Sequence, residues 1–224
     1  MKCLPGLSLS FALLLLTCDA GLASSVTSNV VASGSCSPVV PDGCQARSVY
    51  VTGDGSGGTI HTVDFNSGAF TDPFGIASYA GGAAIDGGAP PTGDTTHWMG
   101  ISSATETITF SAPIDYFGLY WGSVDSGNTV TIKNGASTLL TFTGSQITGS
   151  AAYVSFNGTF GNTWDTVVLS YSSLAFESDS HAYVLAASGA PEPGTLSTVP
   201  SVVLAGGLAF WYRRRKRASA AGRG

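Results

Sequence analysis

Basic side chains are almost missing from the middle of this chain. Of nine Lys and Arg residues, Lys2 stands near the start and six lie at or beyond Arg213, leaving only Arg47 and Lys133 between. Twelve acids from Asp42 to Asp179 oppose those two, a formal charge of −10. A surface without cations cannot neutralise phosphates, so nucleic acid is excluded as a partner. Helix-period apolar segments are also lacking between residues 24 and 190, which argues against helical and α/β folds. The patterns H-E-x-x-H, G-x-S-x-G and the P-loop do not occur, and His61, His97 and His181 are scattered. Gly53, Gly55 and Gly58 satisfy G-x-G-x-x-G, but the strand-like Thr59-Ile60-His61-Thr62-Val63 follows where a dinucleotide site needs a helix. No catalytic residue is assigned, and the chain reads as a non-enzyme.

Cysteine is scarce too. Cys3 and Cys18 fall in an N-terminal segment with Lys2, an apolar stretch over 7–16 and the small-x-small site Gly21-Leu22-Ala23. This pattern predicts a secretory signal peptide over residues 1–23. The alternative is lipoprotein processing at Cys18, where Thr17 fits the preceding position poorly. Cys36 and Cys44 remain, bracketing the turn-rich Ser-Pro-Val-Val-Pro-Asp-Gly, and predict a disulfide formed in an oxidising compartment. Two cysteines with no histidine nearby do not make a zinc site.

What is present is β pattern. Residues 24–47 read as a flexible segment carrying the Cys36–Cys44 loop, and 48–188 as the folded body. Strands are predicted at Ser48-Val49-Tyr50-Val51-Thr52, over 59–65, and at Thr105-Glu106-Thr107-Ile108-Thr109-Phe110, which Pro113 should end. An aromatic strand over 114–121 leads through a polar turn at 125–128 to a returning strand from Thr129, and Asn134-Gly135 marks a tight turn. Further strands are expected over 138–143, 152–156, 166–172 and 176–182, while 66–94 reads as loop. The expectation is an all-β fold, a β-sandwich of jelly-roll type. Trp98, Trp121, Trp164, Tyr120 and Phe117 are assigned to its core.

Two kinds of ligand site come into question. Glu177 and Asp179 alternate along a strand and so share a face; with Asp64 or Asp115 they are candidate Ca²⁺ ligands, against the plainer reading of solvated acids at strand ends. No other cofactor is expected. Trp98 and Trp121, if exposed, are candidates for stacking on a sugar ring, as in a carbohydrate-binding module. A secreted hydrolase with a spatially assembled triad is the remaining alternative.

The last stretch is organised differently. Pro191-Glu192-Pro193 is rigid and extended, because two prolines fix φ and remove backbone donors. Residues 196–212 follow without a charge and reach about 26 Å as a helix, the short end of a membrane span. Arg213, Arg214, Arg215, Lys216 and Arg217 then form a cationic stop that stays in the cytoplasm, with 218–224 as a tail. This order over 190–217 resembles the PEP-CTERM sorting signal of exosortase-processed bacterial surface proteins. The run Phe117-Gly118-Leu119-Tyr120-Trp121-Gly122-Ser123-Val124-Asp125-Ser126, then Asn128-Thr129-Val130-Thr131-Ile132, and the closing strand Phe176-Glu177-Ser178-Asp179-Ser180-His181-Ala182 resemble a body type found among those proteins. The resemblance implies export through the inner membrane, transient anchoring by a single transmembrane helix, and recognition by an exosortase at the Pro-Glu-Pro motif. It also implies release to the cell surface or the extracellular polysaccharide of a biofilm. A permanent, uncleaved anchor is the alternative for the tail.

Overall fold

The computed structural model describes residues 25–36, 41–48, 50, 58–159, 161–172 and 175–187. The expected signal peptide, most of the strand expected around Tyr50, Pro191-Glu192-Pro193, the apolar stretch 196–212 and the basic cluster lie outside the described residues. No described helix is long and apolar enough to cross a membrane.

Alternating β-branched and aromatic residues produce nine strands among the described residues. They are β1 (Val26–Ala32), β2 (Ile60–Val63), β3 (Ala77–Ile85), β4 (Met99–Trp121), β5 (Thr129–Asn134), β6 (Ser137–Thr143), β7 (Ala152–Gly158), β8 (Trp164–Ser170) and β9 (Phe176–Leu185). One short α-helix, α1 (Pro41–Gln45), and two single 3-10 turns at Ser33–Ser35 and Gly144–Gln146 accompany them among the described residues. The fold is all-β. All strands belong to one sheet ordered β1-β7-β4-β8-β5-β6, with β3 and β9 also joined to β4, and β2 to β9.

Strand β4, 23 residues long, is the axis of this arrangement. Its first part pairs antiparallel with β3 and β8, placing Ile108 opposite Tyr79 and Val167. Its last part pairs antiparallel with β7 and parallel with β9, placing Phe117 opposite Phe156 and Tyr183. Pro113 sits between the two parts without ending the strand. The β8 register shifts between Thr109 and Ile114, and the Pro113 carbonyl accepts the Ala186 N–H at 3.0 Å. A missing N–H is tolerated where the ladder is already interrupted, which is why the predicted break does not occur.

Burial differs between those parts. In the first, Glu106, Ile108 and Phe110 are buried while Thr105, Thr109 and Ser111 are exposed; in the last, every residue from Tyr116 to Trp121 is buried. Phe117, Leu119 and Trp121 join Ile108, Trp164 and Phe176 in the main core. Tyr120 packs on the opposite side with Tyr153 and the cysteines, and Tyr116 with Tyr50 and Val184. The Cys36–Cys44 disulfide is formed, with the Cα atoms 4.8 Å apart. The two half-cystines pack against Tyr120, Ala151 and Tyr153.

Three segments depart from expectation. Residues 26–32, read as part of a flexible stretch, form β1 in unbroken register with β7, from Val26 opposite Gly158 to Ala32 opposite Ala152. Within the expected loop 66–94 lies β3, whose bulge between Gly81 and Ala83 is filled by the Glu106 carboxyl accepting the Ala83 N–H at 3.0 Å. A Cβ on Gly81 would lie 2.1 Å from the Thr105 carbonyl, so this close approach requires glycine. Strand β5 does not return along β4; it pairs with β6 and β8. The β5–β6 turn falls at Gly135-Ala136, one residue later than expected, with Gly135 at φ 53°.

Candidate functional site

Strand β9 positions the site. Its Phe176 lies in the main core, and alternation would send Ser178, Ser180 and Ala182 the same way. Ser180 instead takes a left-handed conformation, φ 49°, and the β4–β9 register shifts between Gly118 and Tyr120. The irregularity changes the parity, so His181 and Tyr183 point into the core beyond it. His181 is fully buried, its ring nitrogens paired with Ser178 Oγ at 2.9 Å and Tyr79 Oη at 3.1 Å. Burial pushes its pKa down to about 3, so it is a neutral core residue.

Asp179 faces the other way, into a cavity of about 210 Å³. Asp42 at the start of α1, Asp64 and Asn66 after β2, and Asp94, Thr95 and Thr96 before β4 complete its polar lining. The Asp42 Oδ1 accepts the Ser180 hydroxyl at 3.3 Å. Asp64 Oδ1 accepts the Asn66 N–H at 3.1 Å, across Phe65 at φ 54°. Asp94 Oδ1 accepts the Thr96 N–H and hydroxyl at 2.8 and 2.7 Å. The loop bearing Asp94 is tied to the sheet by the Tyr120 hydroxyl, which donates to the Thr92 carbonyl at 2.7 Å.

Two oxygens at this cavity are left over. Asp179 is only 3% exposed, and its Oδ1 has no hydrogen-bond partner; nor does the buried Oδ2 of Asp94. The two carboxyl groups lie within hydrogen-bonding reach of each other. Burial raises the Asp179 pKa to about 9, Asp94 and Asp64 add to the rise, and the Ser180 N–H opposes it. No cationic side chain lines the cavity. Among the described residues no three His, Cys, Asp or Glu side chains converge closely enough to hold an ion by themselves.

The residues singled out in the sequence are thus redistributed. Asp179 and Asp64 meet at the cavity, whereas Asp115 does not line it. Glu177 is engaged elsewhere, accepting the Ser123 hydroxyl and, at 3.3 Å, the Ala89 N–H. Trp121 has no exposed surface and stacks on Phe176 with centroids 4.3 Å apart, so it cannot stack on a sugar. Trp98 is half-buried, its indole N–H donating to the Gly87 carbonyl at 3.1 Å. Pro191, Glu192, Pro193 and the basic cluster lie outside the described residues. Asp42, Asp94, Asn66 and Thr96 were not anticipated, because short Asp-containing turns are common and only the tertiary pairing brings these together.

Comparison with protein-family models, with curated proteins and with solved structures finds no match to the chain.

Proposed function

We propose that the chain is an exported, non-enzymatic surface protein whose β body is delivered by an exosortase-type sorting signal. The observation that carries the reading is the order of Pro191-Glu192-Pro193, an uncharged 17-residue stretch, and Arg213 to Arg217, placed behind an acidic body with its own disulfide. A cationic end that stays inside and an acidic body outside agree with the topology such a signal requires. Glu192 between two prolines loses little conformational freedom on being bound, which suits a short recognition element. We read the two strand groups on either part of β4 as the layers of a jelly-roll-like sandwich, a shape suited to a robust surface module within extracellular polysaccharide.

The test is mass spectrometry of the surface-associated protein. It should end near Glu192, and Glu192→Ala or neutral replacements of Arg213 to Arg217 should accumulate uncut precursor. Full-length protein at the surface, with unchanged gel mobility for those variants, would overturn the reading in favour of a permanent anchor.

A further inference from the structure

We propose that the outer face of the sheet formed by β3, β4, β8, β5 and β6 binds the surface of ice. The observation that carries this is a grid of threonines set by strand register. Across its middle, Thr107, Val168, Thr131 and Thr141 stand side by side on β4, β8, β5 and β6. Thr105, Ser170, Thr129 and Thr143 form the rank on one side of them. Thr109, Thr166, Lys133 and Thr138 form the rank on the other, past the β5–β6 irregularity. On β3 the small Ser78 and Ala80 continue the pattern beside Thr109 and Thr107. The intervening Ile108, Val130, Ile132, Phe142, Val167 and Leu169 are buried in the main core, so the ranks point outward. Every position of the grid is exposed or half-buried.

The chemistry of the grid selects its occupant. It holds one cation, Lys133, with no acid and no aromatic ring, on a body that is otherwise strongly acidic. A protein partner needs aromatic or arginine anchors, and a small molecule needs a pocket. A sugar chain needs a ring to stack on, and a charged polymer needs opposing charge. The face supplies none of these. What it supplies is a repeat: hydroxyl and methyl pairs recur at about 4.8 Å across the strands and about 6.8 Å along them. The Thr131 and Thr141 hydroxyls share a hydrogen bond at 3.5 Å, and at the margins Thr143 and Thr166 bond to Ser145 and Asp165 at 2.6 and 2.8 Å. Threonine is stiff at χ1, so little freedom is lost when a rigid surface docks. Crystalline water is a partner that is uncharged, rigid and periodic in donors and acceptors. The methyls order first-shell water between the hydroxyls, which then meet the lattice. This inference is independent of how the chain is sorted.

The experiment is ice partitioning: ice is grown slowly from a solution of the full chain, and the protein in the ice and liquid fractions is compared. The native chain should be enriched in the ice and should shape single ice crystals into facets. Thr131→Tyr and, separately, Thr107→Tyr set a ring in the middle rank and should lose most of that enrichment. Ser67→Tyr, at an exposed position after β2 and outside the grid, should keep it. Tyrosine is a good strand former, so both grid variants should melt within about 2 °C of the native chain, which separates loss of the face from loss of the fold. A native chain excluded from ice, or enrichment that survives in both grid variants, would overturn the proposal. Exclusion from ice together with retention on crystalline cellulose, or with dimerisation in sedimentation, would reassign the face to polysaccharide or to a second copy and overturn it as well.

Discussion

Asp72 and Asp179 are both buried aspartates, and the fold treats them in opposite ways. Asp72, at the approach to β3, receives the N–H of Phe74 on Oδ1 at 3.0 Å. Its Oδ2 receives the N–H groups of Ile76 and Ala77 at 2.8 and 2.7 Å and the Tyr183 hydroxyl at 2.7 Å. Burial alone would raise its pKa, but Ala77, Tyr183, Phe74 and Ile76 together outweigh it, and the carboxyl ends below its ordinary value. Asp179 has one unsatisfied oxygen and acidic neighbours, and burial prevails. The difference teaches that a buried acid is not by itself a site. Asp72 is a structural pin whose donors come with the chain, whereas Asp179 is kept in its protonated form beside Asp94.

The largest break in this comparison should come from removing the pin. Asp72→Ala leaves three backbone N–H groups and a buried hydroxyl without their acceptor, and should cost about 3 kcal/mol in chemical denaturation. An effect below about 1 kcal/mol would show that water replaces the carboxylate freely.

Next is the clamp behind the cavity. The disulfide fixes α1, and with it Asp42, against Tyr120 and Tyr153. Replacing both cysteines by serine should cost about 2–3 kcal/mol, the loop-closure entropy of so short a loop. A loss below about 1 kcal/mol would show that the chain is held nearly as well without this cross-link.

The smallest effect is an acid limb. Because the folded pKa of Asp72 is depressed, its contribution is complete above the unfolded value of about 3.9 and is lost as pH falls through the folded value. Melting temperatures between pH 5 and 2 should therefore drop more steeply for the native chain than for Asp72→Asn. Parallel curves would mean that other carboxylates govern the acid transition.

Much of the fold was legible because alternation is local. Thr105 to Phe110, the aromatic run before Trp121, residues 152–156 and the stretch from Phe176 all lie in strands, and the disulfide followed from two cysteines around a turn-rich segment. Strand β1 was hidden because Thr27-Ser28-Asn29 breaks its apolar pattern; its pairing with β7 supplies what propensity does not. Strand β3 was hidden by Gly81-Gly82, glycines that serve a bulge around Glu106. Pro113 misled because it sits where a ladder is irregular and local rules lapse. The cavity was half legible. Asp179 and Asp64 stood out, but Asp42, Asn66 and Asp94 come from separate segments, and no local pattern announces them.

The most direct measurement is a carbon-13 NMR titration of the aspartate carboxyl signals in the full chain, assigned with Asp179→Asn and Asp72→Asn. Asp179 should stay protonated up to about pH 9, while Asp72 should titrate below the ordinary aspartate value. An Asp179 signal that titrates in the ordinary range near pH 4 would contradict the account.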